Sequence, residues 1–181
     1  MDAFETLVAL LLEREGFWVR NNFKVVLTKD EKSLIGRPSS PRWDIDSVAY
    51  KGATNEVIVV ECKSYLDSRG VMYKAFDGRN DRYSDRVKLF TDSQLRQVVV
   101  NRLVTQLVQS GSCAPSPKVT LCLVAGRVAS EQDRVLLKEH FDKNGWLFWD
   151  DNWLRVTLRG IANCGYQNDV SFIVAKLLLR R

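Results

Sequence analysis

The 181-residue chain has one histidine, His140. Zinc sites built on two or three histidines are therefore not expected, nor are HNH- or HD-type metal sites. A Ser–His–Asp triad would have to use His140. That residue sits among Lys138, Glu139 and Phe141, in a stretch that reads as an amphipathic helix, and a half-exposed helix residue is the plainer account. Cysteine is sparse as well. Cys62, Cys113, Cys122 and Cys164 form no CxxC pair. Cys62 and Cys122 lie in apolar runs, where free thiols behave as small hydrophobes. The expectation is a reducing, cytoplasmic location. No apolar run approaches the ~20 residues of a membrane span. The opening Met-Asp, with Glu5 soon after, does not read as a signal peptide. Neither GxGxxG nor GxxxxGK(S/T) occurs, so both glycine-rich phosphate cradles are missing.

What remains is an ordinary globular composition, 45% apolar and 27% charged. Such a length suits one domain and buries about 70% of the unfolded surface without a disulfide or metal staple. The net charge of +5 is a mild basic bias, compatible with a polyanionic partner.

Residues 2–15 carry Leu7, Leu10 and Leu11 at helical spacing, with Gly16 placed to stop the helix. Residues 17–28 read as extended, with a break suggested at Asn21-Asn22. Residues 29–42 contain Gly36, Pro38 and Pro41 and read as a loop. Two strands follow at 43–50 and 56–63, joined by a short turn, and predict a β-hairpin. Residues 64–90 form a long polar excursion. Thr91 to Gln94 resembles a capping box opening a helix to about Gln109. Residues 118–125 read as a strand covered on both faces. A helix from Ser130 to Asn144 and a short strand at 146–149 come next. Residues 150–181 hold two further segments, the last open between helix and strand. The expected fold is a single α/β domain with a central mixed sheet, its core at about 1–126 and a C-terminal elaboration at 127–181.

The hairpin holds the residues with chemistry. With the turn centred on Ala53-Thr54, partners sum to 107, so Asp46 faces Glu61 and Asp44 faces Lys63. Glu61 and Lys63 share one strand face, with Cys62 on the other. Val57 to Val60 lead directly into this charged end, where charge is costly to bury unless it binds something. Two carboxylates at this spacing suit Mg²⁺, and the Cys62 backbone carbonyl supplies a further oxygen. Taken alone, Glu-x-Lys is equally well a salt bridge. The paired aspartate, the apolar approach and an acidic helix before the strands give it weight.

The order helix, strands, Asp46-Ser-Val-Ala, then Val-Val-Glu61-Cys-Lys63, then helix and strand resembles the PD-(D/E)XK restriction-endonuclease-like nucleases. The string WDIDSVAY…VIVVECKSY is especially similar to Mrr-type and Holliday-junction-resolvase-type members. The resemblance covers about residues 1–126 and implies an αβββαβ core. It implies a metal-dependent endonuclease acting on DNA, with RNA not excluded, and with Mn²⁺ able to replace Mg²⁺. Carried over, Asp46 and Glu61 bind the metal, Lys63 assists hydrolysis, and Glu5 approaches the metal through water. Gln97, with Gln94 and Gln106, is a candidate for a polar helper on the following helix. Ile45 stands where the family motif has proline. Asp44 competes with Asp46 for the ligand role. Asp46 is preferred for the uncharged run after it and for its register with Glu61. Structure-dependent repair, recombination and restriction or defence roles all fit. The alternative is a catalytically inactive nucleic-acid-binding or assembly module of the same fold.

Residues 63–102 carry nine basic and five acidic side chains, so most of the excess positive charge follows Glu61-Cys-Lys63 directly. Arg69, Lys74, Arg79, Arg82 and Arg86 are the candidate backbone contacts. Tyr65, Tyr73, Phe76 and Tyr83 interleave with them as core packing or as stacking surfaces. Trp146, Phe148, Trp149 and Trp153 read as core or as a dimer contact. A homodimer would let two such sites cut both strands.

Overall fold

A computed structural model describes residues 2–39, 42–78 and 81–179, and the side chains of these except 81 and 82. Helix α1 (Ala3–Arg14) is opened by a reciprocal capping box. The Asp2 carboxylate accepts the Glu5 N–H at 2.8 Å, and the Glu5 carboxylate accepts the Asp2 N–H. Strand β1 (Trp18–Val25) follows, then the short helix α2 (Lys29–Leu34). That helix corrects the loop expected at 29–42. Thr28 and Glu31 form a second capping box, a Thr-x-x-Glu signal that overrides the Gly and Pro further on.

Strands β2 (Trp43–Lys51) and β3 (Glu56–Lys63) form the expected hairpin. Its register runs from Ser47 opposite Val60 to Lys51 opposite Glu56, as the turn position predicted. The excursion at 64–90 is no open loop. It contains single 3₁₀ turns at Tyr73–Ala75 and Asp85–Val87, and the short helices α3 (Asp81–Ser84) and α4 (Lys88–Thr91). Helix α5 (Ser93–Gln109) begins one residue later than the capping box suggested. Asp92, not Thr91, is its N-cap and accepts the Leu95 N–H at 2.9 Å. Then come β4 (Lys118–Ala125), α6 (Glu131–Lys143), β5 (Leu147–Trp149), α7 (Asp151–Ala162) and α8 (Val170–Leu179). The last segment is thus helical.

The five strands form one mixed sheet in the order β1-β2-β3-β4-β5. The first two pairings are antiparallel and the last two parallel. Alternation along β3 and β4 sends side chains into a layer on each face. Val57, Val59, Leu121 and Leu123 face a core with Leu95, Leu103, Leu137 and Phe141, under α5 and α6. Ile58, Val60, Cys122 and Val124 face Val8, Leu11, Leu154, Ile161 and Phe172, under α1, α7 and α8. The chain is therefore an α/β domain of three layers, and residues 127–181 supply much of one of them.

Strict alternation fails at one place. Val19 packs in one layer, but Phe23 and Val25 pack in the other. Between them Asn22 has φ +51°, a left-handed conformation that asparagine tolerates better than most residues. On β2, Ile45 and Val48 share a layer although three residues apart. The register runs through Asn21–Ser47 and Phe23–Ile45, so the irregular Asn22 lies opposite Asp46. The break expected at Asn21-Asn22 is a local switch of strand face, not the end of a strand.

The crossing from one layer to the other is fastened beside β5. The Arg134 guanidinium, on α6, bonds Asp150 at 2.7 Å and Asp151 at 2.9 Å, at the start of α7. The four tryptophan-region aromatics divide between the layers. Trp146 and Phe148 join the α5/α6 side, while Trp149 and Trp153 stack at 4.5 Å on the other. His140 is half-buried among Tyr73, Phe76, Phe141 and Trp146, and burial lowers its pKa, with Lys143 adding to the effect. The four cysteines are unpaired. Among the described residues no helix is long and apolar enough to cross a membrane.

Candidate active site

The β2–β3 ladder stops at Ser47–Val60, one step short of Asp46 and Glu61. There the strands part. The Asp46 carboxylate fills the gap, and its Oδ2 accepts the Cys62 N–H at 2.7 Å. The N–H and C=O of one strand residue point to the same side. The Lys63 carbonyl faces away, accepting the Gly126 N–H at 2.9 Å. The Cys62 carbonyl therefore opens onto the gap that Asp46 occupies. Ser47, fully buried next door, donates its hydroxyl to Asn21 Oδ1 at 2.6 Å and braces β2 at this point.

Glu61 and Lys63 form an ion pair on β3, each side chain 17% exposed. Burial raises the Glu61 pKa, and the carboxylates of Asp46 and Glu5 push it further against the opposing pull of Lys63. Burial also raises Asp46, more than the Cys62 N–H and the Lys63 charge lower it. Glu5 is raised by burial and by Asp46. Burial alone would lower Lys63, but Glu61 and Asp46 outweigh it and hold the ammonium protonated. The Cys62 thiol is pushed up by burial and by the surrounding acids, so it stays a thiol. Lys63 thus offsets the charge of both Asp46 and Glu61, while Glu5 adds negative charge beside them.

The structure brings Glu5, Asp46, Glu61, Cys62 and Lys63 together, but not by the expected register: Asp46 is not paired across the ladder with Glu61, and its carboxylate reaches past it to the Cys62 N–H where the strands part. Asp44 does not join them. It pairs in register with Lys24 across β1, and its exposed carboxylate bonds Arg42 Nε at 3.0 Å. The expectation that it faces Lys63 fails because the ladder ends before reaching it. Gln97 is exposed and lines a groove with Val119, Leu121 and Trp146, toward the far end of β4. Gln106 is engaged elsewhere, accepting the Val26 N–H at 2.8 Å and donating to the Lys24 carbonyl. Asp2, which sequence reasoning passed over, adds negative charge to Asp46 and Glu5. Its signal was the capping spacing Asp-x-x-Glu.

The basic run after Lys63 is sorted by the fold. Arg96 donates to the Leu89 and Phe90 carbonyls, Arg102 pairs with Glu31, and Lys88 pairs with Asp85. Lys74 sits over the Tyr83 ring at 4.2 Å. Arg69 and Arg86 are exposed, with no ion-pair partner among the described residues. Arg79 and the side chain of Arg82 lie outside the described residues.

No family model, curated protein or solved structure matches this chain. The chemistry must be argued from its own residues. Among the described residues no three His, Cys, Asp or Glu side chains are grouped to enclose a metal. The donor set is instead two carboxylates and a carbonyl at an open strand end. Asp46 Oδ1 has no hydrogen-bond donor among the described residues. That suits Mg²⁺, which keeps several waters and takes one or two carboxylates plus substrate phosphates in preference to a full protein cage.

Behind the site, Gly126 follows β4 and lies against Ser64. A Cβ there would sit 2.4 Å from the Ser64 carbonyl oxygen, a backbone atom with little freedom to yield. Gly126→Ala is expected to cost about 1–3 kcal/mol, as overpacking does, and to lower the midpoint of urea denaturation without changing its slope.

Proposed function

We propose that the chain is a Mg²⁺-dependent endonuclease of the restriction-endonuclease-like type, hydrolysing phosphodiester bonds in DNA. The observation that carries this reading is the Asp46 carboxylate on the Cys62 N–H, beside the Glu61–Lys63 pair, where β2 and β3 part. Asp46, Glu61 and the Cys62 carbonyl would hold the ion. When bound, Mg²⁺ supplies charge neutralisation at the phosphoryl oxygens and makes a nearby water more acidic. Lys63 carries its proton at Nζ, and its raised pKa supports a role in stabilising negative charge as it develops on the phosphate. Glu5 reaches the site from α1, next to Asp46, and suits a contact through water. It also caps its helix, so its removal would disturb both.

In the nucleases that the chain resembles, a two-carboxylate, one-lysine site usually leaves a 5′-phosphate, and the same product is expected here. A cytoplasmic location and a homodimer that cuts both strands belong to the same reading. A second reading is a non-catalytic nucleic-acid-binding module of the same fold. A panel of single-stranded, duplex, flap and four-way-junction DNA, incubated with Mg²⁺, Mn²⁺ or EDTA, separates the two. The nuclease reading expects products with either metal and none with EDTA. Salt-dependent binding with no product under any metal would establish the second reading in its place.

A further inference from the structure

A cavity of about 250 Å³ opens beside Lys63. It is smaller than the roughly 300–1,000 Å³ pockets that take drug-sized ligands, and on the scale of one heteroaromatic ring system. Its walls are Tyr65, Phe76, Tyr83 and Val87, with Met72 among the residues that line it. Its cations are Lys63, Arg69 and Arg86, and no acidic side chain lines it among the described residues. Such a lining suits a flat apolar ring attached to an anion.

The cavity is held in place by the fold. The Val71 N–H donates to the Arg127 carbonyl at 2.9 Å, and the Ala129 N–H donates to the Val71 carbonyl at 2.9 Å. That bridge ties the wall to the exit of β4. The Tyr73 N–H donates to Asp133 on α6 at 2.8 Å, and Phe76 is buried against Phe90 and Phe141. Gly70, at φ +94°, lets the chain pass within contact of the Arg127–Ala129 backbone, where a Cβ would meet three backbone atoms at 2.9 Å. Tyr65, two residues after Lys63, takes a left-handed φ of +43°. For a bulky non-glycine residue this is a strained conformation that the surrounding structure must hold, of a kind found at ligand clamps.

We propose that this cavity receives one unpaired nucleobase of the bound strand, next to the phosphate that Lys63 faces. The proposal rests on the nuclease reading for its class of ligand, and narrows the substrate to DNA with a single-stranded or extrudable base. Tyr83 and Phe76 line the cavity as aromatic surface, and stacking on such surface accepts any base. Arg69 and Arg86 hold the flanking phosphates, which fixes position without reading sequence. A base already unpaired avoids the unstacking cost that a paired base would carry.

The test is equilibrium binding in EDTA, so that no hydrolysis enters. The probes are a single-stranded oligodeoxynucleotide and the same strand made abasic throughout. The intact strand is expected to bind at least about 5-fold tighter, the lower end of the range for loss of one stacked base. Met72→Trp, which fills the cavity, and Tyr83→Ala, which removes a wall, should each erase that preference and leave abasic affinity unchanged. Equal binding of the two strands, no binding of either, or a preference surviving both variants would overturn the proposal. Base-dependent binding without cleavage in Mg²⁺ would keep the pocket and sink the hydrolytic reading. Cleavage without base dependence would do the reverse.

Discussion

In Mg²⁺, the Asp46→Asn protein is expected to cleave DNA at least roughly 10²-fold more slowly than the parent and to melt at an equal or higher temperature. The two halves of this result have one cause. Asp46 sits in the same patch as Glu5 and Glu61, and burial raises its pKa above the ordinary carboxylate value. The folded protein therefore binds that proton more tightly than the unfolded chain does. The ionised carboxylate costs stability above its folded pKa, and the cost disappears below the unfolded value of about 3.9. Asparagine keeps an oxygen for the Cys62 N–H and removes the charge. The stability of the parent should approach that of Asp46→Asn as pH falls through this window. Lys63→Ala should lose cleavage as well, by about 10²–10³-fold, but should not gain stability, since it strips Asp46 and Glu61 of the ammonium that offsets them. Thermal melts beside a nicking assay check both variants. Unimpaired cleavage by either protein would exclude the site. A large fall in the melting temperature of Asp46→Asn would mean that the carboxylate is structural.

The largest stability effect is expected at Arg134. Its guanidinium is nearly buried and bonds Asp150, Asp151 and Glu131 at 2.7–2.9 Å. Asp150 is 2% exposed and caps α7 through the Trp153 N–H at 2.9 Å. Burial would raise its pKa, but the Trp153 N–H and Arg134 overcome this and hold it low. Arg134→Ala would leave that carboxylate buried and uncompensated. Breaking such a pair costs about 3–5 kcal/mol. In a chain of this size the loss corresponds to a fall of about 6–20 °C in melting temperature. Lys138 reaches Asp150 only at 3.5 Å from a half-exposed position, and Lys138→Ala should cost no more than about 1 kcal/mol. The contribution of Asp150 has the sign of a depressed acid. It is present above the unfolded pKa and is lost as pH falls through the folded one. Arg134→Ala should therefore flatten the acid limb of the stability profile. An unchanged acid limb in the variant would show that the network does not carry the stability assigned to it.

Much of the site was legible in the sequence because it is local. The turn at Ala53-Thr54 sets the hairpin register, and a register error of one residue would reverse every side chain. The apolar runs Val57–Val60 and Leu121–Ala125 mark strands covered on both faces, and β3 and β4 contain them. Asp44 was harder to place. Period-two counting puts it on the same face as Asp46, and nothing in the residues themselves says that the ladder ends at Ser47. The left-handed Asn22 across the sheet, and the face switch there, leave Asp46 inside and Asp44 in solvent. Likewise Thr28-x-x-Glu31 and Asp92 are short capping signals that a Gly- and Pro-rich or Thr-led reading obscured.

The sequence by itself determined the class of fold, the hairpin register and the convergence of Asp46, Glu61 and Lys63, since each depends on neighbours a few residues away or directly opposite. Tertiary structure alone decided which cations stay unpaired, where the Cys62 N–H points, and that a cavity opens beside Lys63. Those depend on contacts between segments far apart in the chain: Val71 with Val128, Tyr73 with Asp133, Arg102 with Glu31. The same +5 net charge is compatible with many packings, and only the packing says which arginines remain free to meet a phosphate.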